Sequence, residues 1–233
     1  MNIEIWSDFS CPFCSLGKRH LYKALDQVPH KDHVTFGFKS FELDPHADHF
    51  TDKSMAELLA GKYRIPVAQA ENMTANVASQ ASSVGLTYHF DTMQPTNTLD
   101  AHRLTQYANT KEKANALAER LFYAYFTESK HLSTPETLVA LATEVGLDAS
   151  EVADVLASEQ YKKEVEQDHE QGVSLGLQGV PFLIIDHTHA ISGAQPPSAF
   201  LESLQTAWEQ QQNSAQPVQA SKDTDCSDGT CSI

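Results

Sequence analysis

No stretch of the sequence approaches the roughly 20 consecutive apolar residues that a membrane-spanning helix needs, so no membrane partner is expected. Basic side chains are also scarce. With 16 Lys and Arg against 31 Asp and Glu, the formal charge is −15, which argues against a nucleic-acid partner, whose phosphates demand a basic surface. No glycine-rich phosphate loop occurs. Four cysteines in 233 residues are too few for a disulfide scaffold. The opening Met1-Asn2-Ile3-Glu4 lacks the basic region and apolar core of a secretory signal, so a cytoplasmic protein is expected. What remains is an ordinary globular composition, 41% hydrophobic and 20% charged, enough for one large domain or a domain carrying an insertion.

The cysteines fall into two close pairs, Cys11/Cys14 and Cys226/Cys231, at opposite ends of the chain. Cys11-Pro12-Phe13-Cys14 follows the short apolar run Ile3-Glu4-Ile5-Trp6 and leads into a helical pattern, Leu21, Ala24, Leu25 and Val28, which Pro29 is expected to end. A thiol pair is thereby placed at a strand-to-helix junction, where unsatisfied backbone N–H groups and the positive end of the helix dipole converge. A thiolate is favoured there, and the thiolate is the form that attacks disulfides.

Further along, Val34, Phe36 and Phe38 alternate up to Phe41 as a strand, completing a parallel strand–helix–strand unit. From about residue 50 the pattern is helical for over 100 residues. Ser54 and Glu57 have capping-box spacing with Gly61 as a stop, Pro66 opens a helix closed by Gly85, and residues 86–90 read as a loop. Helices are then expected after a cap at Asn97 or Thr98, from Ala114, from Pro135 to Gly146, from Asp148, and from about Glu159 toward Gly172. At Pro181 strand character returns, with the apolar run Phe182–Ile185, a partner strand ending at Gly193, and a last helix from Pro196-Pro197-Ser198. The simplest architecture is α/β: residues 1–45 and 175–212 as one domain, an all-helical insertion at 46–174, and a flexible polar tail at 213–233.

A Cys-x-x-Cys pair can be half of a zinc site or a redox pair. Structural zinc usually takes four ligands. The only other thiols lie in the tail, and none of the 11 histidines sits at finger-like spacing from Cys14. The strand–Cys-Pro-x-Cys–helix context favours redox use, with no metal. Trp6-Ser7-Asp8-Phe9-Ser10-Cys11-Pro12-Phe13-Cys14 followed by Gly17-Lys18, Asn97-Thr98-Leu99-Asp100-Ala101-His102-Arg103-Leu104, and Gly179-Val180-Pro181-Phe182 resemble the DsbA-like branch of the thioredoxin superfamily. The likeness is greatest to its cytoplasmic FrnE-type members and spans essentially the whole chain.

That resemblance implies a thioredoxin fold with the inserted helical domain, and protein disulfide oxidoreductase or isomerase activity without a prosthetic group. Glutathione or a thioredoxin-system protein would serve as redox partner and disulfide-bearing proteins as substrates. Cys11 would be the attacking sulfur and Cys14 the resolving one. The resemblance also implies a cis Val180–Pro181 bond lying against Cys11, which exposes the Val180 backbone to an extended substrate. Pro12, Phe13 and His102 would border the same groove.

The helix end stabilises a thiolate by roughly 0.3–1 kcal/mol, less than the ~1.4 kcal/mol of one pKa unit. Phe13 adds no positive charge, and Asp8, if close, opposes the thiolate. A moderately oxidising or isomerase-like pair is expected. In the tail, Cys226 and Cys231 read either as two exposed thiols or as an auxiliary redox pair. Two rival functions remain. One is a glutathione-dependent isomerase of small aromatic substrates, like the 2-hydroxychromene-2-carboxylate isomerases, which generally carry serine where Cys11 stands. The other is a non-catalytic chaperone or metal-binding protein. Oligomeric state is not legible.

Overall fold

Alternation along the first strand divides the molecule into two apolar layers. In β1 (Asn2–Ser7), Ile3 and Ile5 enter one buried cluster while Trp6 enters another on the opposite face. The computed structural model describes residues 1–215, so Cys226 and Cys231, with nearly all of the expected tail, lie outside the described residues. Strand β1 pairs in parallel with β2 (Thr35–Ser40), Asn2 opposite Thr35 and Ser7 opposite Ser40. It pairs antiparallel with β3 (Phe182–Ile185), Ile3 opposite Ile185, and β3 pairs antiparallel with β4 (His189–Ser192). The sheet order is β2-β1-β3-β4.

One face is covered by α1 (Pro12–Leu25) and α9 (Pro197–Ala215), whose Leu21, Ala24, Leu25, Phe200 and Leu204 bury Ile3, Ile5, Leu183 and Ile185. On the other face Trp6, Phe182 and Ile184 pack with Phe41 and Leu177. Between β2 and β3 run α2 (Met55–Tyr63), α3 (Val67–Ser82), α4 (Leu99–Asn109), α5 (Ala114–Phe126), α6 (Pro135–Glu144), α7 (Ala149–Leu156) and α8 (Lys162–Ser174). This is the thioredoxin-like α/β fold with a helical insert. The apolar cluster of the insert, including Leu104, Leu117, Leu121, Phe122, Leu138 and Leu141, is continuous with Phe9, Cys11 and Cys14. The thiols therefore sit where the sheet domain meets the helices. No helix among the described residues is long and apolar enough to cross a membrane.

Several helix ends differ from expectation, each for a local reason. Helix α1 stops at Leu25 with Asp26 as its cap, before Pro29 is reached, and Val28 reaches the core from the turn that follows. Gly61 does not stop α2. The helix continues to Tyr63, and Arg64 takes the left-handed closing position at φ 56°. Pro66 stands as the extended cap residue of α3 rather than inside it. Helix α8 begins at Lys162 and passes through Gly172, where a Cβ would lie 3.0 Å from the Trp6 ring; Gly176, at φ 83°, makes the turn instead. Helix α9 continues past Gln212 to Ala215.

Candidate active site

Cys11 is the N-cap residue of α1, Pro12 its first helical residue, and Cys14 lies in the first turn, its N–H bonded to the Cys11 carbonyl at 3.1 Å. Both are free thiols. Both residues are buried, Cys11 keeping 5% of its surface open against 2% for Cys14. Burial, with the Cys11 side chain beside it, pushes the Cys14 thiol well above its ordinary value. The Val180–Pro181 bond is cis, and the Cys11 thiol donates to the Val180 carbonyl at 3.4 Å. Phe13 is exposed, and Pro12 and Val180 are half-buried. Gly17 lets Pro181 close on the helix: a Cβ there would stand 3.0 Å from the Pro181 ring and 3.3 Å from the Ala194 backbone.

Behind the thiols lies a buried polar layer. Asp8 accepts from the Ser10 N–H at 2.9 Å, the Leu43 N–H at 2.6 Å and the Thr98 hydroxyl at 3.0 Å, and His102 Nε2 lies 3.7 Å from its Oδ1. Burial alone would raise this carboxyl. The His102 side chain and its charge, with the Leu43 and Ser10 N–H groups, outweigh burial and hold the carboxyl below its ordinary value of 3.8. Glu42, partly buried nearby, is shifted the other way, first by burial and then by the charges of Asp8, Asp100 and Asp44.

Residues 2–205 match the family described as DSBA-like thioredoxin domain. The chain belongs to that family. Among solved structures, the probable DsbA oxidoreductase SCO1869 from Streptomyces coelicolor is 34% identical with a TM-score of 0.86, covering 100% of this chain and 99% of that one. The cytosolic disulfide reductase DsbM from Pseudomonas aeruginosa shares the fold at 15% identity, with a TM-score of 0.62 over 90% of this chain and all of that one (100%). A curated relative, the uncharacterized protein YwbO of Bacillus subtilis (strain 168), is 25% identical over 210 residues, 88% of this chain and 96% of that protein.

Within this DsbA-like frame the three sequence landmarks meet in space. Cys11, Cys14, Val180 and Pro181 converge at the mouth of α1. Gly17 faces Pro181, and Lys18, buried, pins α1 to α5 through Glu119 at 3.0 Å. Asn97 caps α4 by accepting from the Leu99 N–H at 2.8 Å, Thr98 reaches Asp8, and Arg103 pairs with Asp100 at 2.7 Å while donating to the carbonyls of Val155, Ser158 and Gln160.

His102 does not border a substrate groove, because it is 0% exposed, its ring tilted against Phe9 with centroids 4.9 Å apart. Asp8, expected to oppose a thiolate if close, is enclosed, and its charge helps raise the Cys14 thiol. Tyr88, in the loop at 86–90, closes another side of the site, its hydroxyl donating to the Pro12 carbonyl at 3.0 Å and its ring against Phe126 at 4.6 Å. Nothing local in the sequence marks it, since the helix it contacts is 76 positions away. His46 and His49 are exposed, and His187 faces Glu4 at 3.4 Å from the surface. Among the described residues no group of three or more His, Cys, Asp or Glu could hold a metal.

Proposed function

We propose that this protein is a cytoplasmic thiol–disulfide oxidoreductase and isomerase acting on protein disulfides, with glutathione or a thioredoxin-system protein as electron partner and no bound cofactor. The observation that carries the reading is the Cys11 sulfur at a helix mouth, 3.4 Å from the carbonyl of a cis Val180–Pro181 unit, with Cys14 a turn behind it. The Cys11 thiolate attacks a substrate disulfide. One substrate sulfur bonds to Cys11 and the other leaves as a thiolate, which takes a proton from water. Cys14 then loses its proton and attacks Cys11. The Cys11–Cys14 bond forms as the substrate sulfur departs. Run backward, the same two exchanges oxidise a substrate dithiol, and stopped at the mixed disulfide they permit shuffling.

An extended substrate backbone pairs beside Val180, with Pro12 and Phe13 flanking the sulfur. The 2-hydroxychromene-2-carboxylate isomerase reading is weaker, since that chemistry requires neither the thiol at Cys11 nor the second at Cys14. Cys226 and Cys231 serve as an auxiliary dithiol that exchanges with Cys11.

Replacing Cys14→Ala should leave substrates covalently captured on Cys11, released by reductant and identified by mass spectrometry, while Cys11→Ala captures none. Capture unaffected by loss of Cys11 would remove the basis of the reading. Deleting residues 213–233 should slow insulin reduction if the tail pair shuttles electrons, and unchanged turnover would deny it that role. The Cys11/Cys14 equilibrium with glutathione should lie at a moderate potential, because neither Phe13 nor Asp8 favours an extreme oxidant.

A further inference from the structure

Most of the backbone N–H groups at the mouth of α1 are already engaged. The Cys11 N–H is bonded to the Asp8 carbonyl at 3.1 Å, Pro12 has no N–H, and the Cys14 N–H is bonded to the Cys11 carbonyl at 3.1 Å. The Phe13 N–H has no acceptor among the described residues. It stands at the second helical position, from which a donor reaches the side chain of the residue that caps the helix, here Cys11. As a thiol, Cys11 gives its proton to the Val180 carbonyl and takes no capping bond. A thiolate has no proton to give that carbonyl. The donor left for it is the Phe13 N–H.

The other end of that peptide unit is the Pro12 carbonyl, which accepts from the Tyr88 hydroxyl at 3.0 Å. Tyr88 is held there from both sides. The Thr127 hydroxyl donates to the Thr87 carbonyl at 2.6 Å, and the His89 N–H donates to the Phe126 carbonyl at 2.8 Å, so its two neighbours are tied to the end of α5. Its ring lies against Phe126 at 4.6 Å and edge-on to Phe90 at 5.8 Å, with 8% of the residue exposed. Burial pushes the phenol well above its ordinary value, so it stays protonated and remains a donor. A carbonyl oxygen has two lone pairs, so Pro12 can serve the helix and the phenol together, and the helix itself does not need Tyr88.

We propose that Tyr88 is a positioning residue through which the helical insert tunes the Cys11 sulfur. Its bond to the Pro12 oxygen draws electron density along the Pro12–Phe13 peptide, and the Phe13 N–H becomes a stronger donor to the Cys11 thiolate. Tyr88 makes and breaks no covalent bond. It favours the dithiol over the disulfide, because only the reduced pair offers a thiolate to that N–H. The sheet domain thus carries the thiols while the insert sets their balance. This inference rests on the dithiol reading.

The test uses the full chain at pH 8 in mixtures of reduced and oxidised glutathione, quenched with acid and mapped by mass spectrometry. In wild type one oxidised glutathione should convert the pair to the Cys11–Cys14 disulfide and leave as two thiols. A wild type that never forms that bond would refute the dithiol reading and this inference with it. In Tyr88→Phe, which keeps the ring and loses only the hydroxyl, the equilibrium constant for forming the disulfide should rise about two- to fourfold. That is the scale of strengthening a charge-assisted hydrogen bond by roughly 10–30%. If wild type forms the bond and Tyr88→Phe shares its constant, the role of Tyr88 alone is overturned.

Tyr88→fluorotyrosine, with the fluorine beside the hydroxyl, keeps every packing contact and makes the phenol a better donor. Its constant should move the opposite way, below that of wild type. The amide proton of Phe13 in the reduced protein should shift upfield in Tyr88→Phe and downfield with fluorotyrosine. A residue that merely packs would change stability without these paired signs. A fluorotyrosine constant at or above the wild-type value therefore rejects the proposal even should Tyr88→Phe fail to fold.

Discussion

At the residue scale, Gly17 sets how closely Pro181 approaches the helix that carries both thiols. A methyl group there would meet the Pro181 ring at 3.0 Å and backbone of Ala194 at 3.3 Å, and the backbone cannot swing aside as a flexible side chain would. Gly17→Ala should therefore cost about 1–3 kcal/mol of stability, as overpacked cores do, and should shift Pro181 away from Cys11. Insulin reduction and the thermal midpoint should fall together. A variant with wild-type turnover would show that Pro181 is not held by this contact.

Asp8 makes a prediction with a definite sign. Its folded carboxyl titrates below the ordinary 3.8, so its contribution to stability is full above that value and is lost as the pH falls through it toward the lowered native value. Acid denaturation of wild type should steepen in that window. In Asp8→Asn the same slope should flatten, as read by denaturant midpoints between pH 2.5 and 6. An equal slope in both proteins would deny Asp8 its native ion pairing.

At the element scale, helix ends that depend on neighbours in sequence behave as local chemistry dictates. Asp148 accepts from the Ser150 N–H at 2.9 Å and the Glu151 N–H at 3.0 Å at the start of α7, satisfying two donors that the helix leaves open. Asp148→Ala should lower global stability by about 0.5–2 kcal/mol with turnover intact, and Asp148→Asn should restore most of it. Paired denaturation and activity measurements check both. The capping box of α2 was legible for the same reason: Ser54 and Glu57 exchange bonds at 2.7 and 3.2 Å across one turn.

Legibility ends where an element's role depends on distant partners. Gly61 looks like a stop, but its position leaves a Cβ in open space, and the helix closes at Arg64 because the next residues lead to Pro66. The redox pair could be read because it carries its own local context, and the role of the late proline came with the family resemblance. Asp8 and His102 were legible as candidates but their partners were not, and Tyr88 was not legible at all, since what makes each of them matter is a partner brought in by folding. His102, on α4, gains meaning only beside Asp8, and Tyr88 only beside Pro12.

At the scale of the whole molecule, the question is what keeps the helical insert registered on the sheet while the thiols sit in the seam. One carboxylate joins the parts. Asp168 on α8 accepts from Lys39 at 2.9 Å and from the Ser40 N–H at 3.0 Å on β2, and from Gln106 on α4 at 2.5 Å, while its backbone carbonyl takes the Trp6 indole of β1 at 2.8 Å. Removing the side chain leaves the Ser40 backbone donor without its acceptor and leaves Lys39 only its longer pairing with Glu4 at 3.7 Å. Ser40 is fully buried, but Lys39 is partly solvated, so the loss belongs near the low end of a broken buried pair, about 3 kcal/mol. Asp168→Ala should therefore loosen α8 and α4 first. Hydrogen exchange in those helices should accelerate more than in α9, which packs on the other face of the sheet. Because Cys11 and Cys14 share the apolar cluster of the insert, the same variant should also expose Cys14 to alkylation sooner than wild type does. Asp168→Asn, which keeps an acceptor for Ser40 but loses the charge opposite Lys39, should fall between. Uniform acceleration across the chain would mean that insert and sheet unfold as one unit and that Asp168 is not the joint between them.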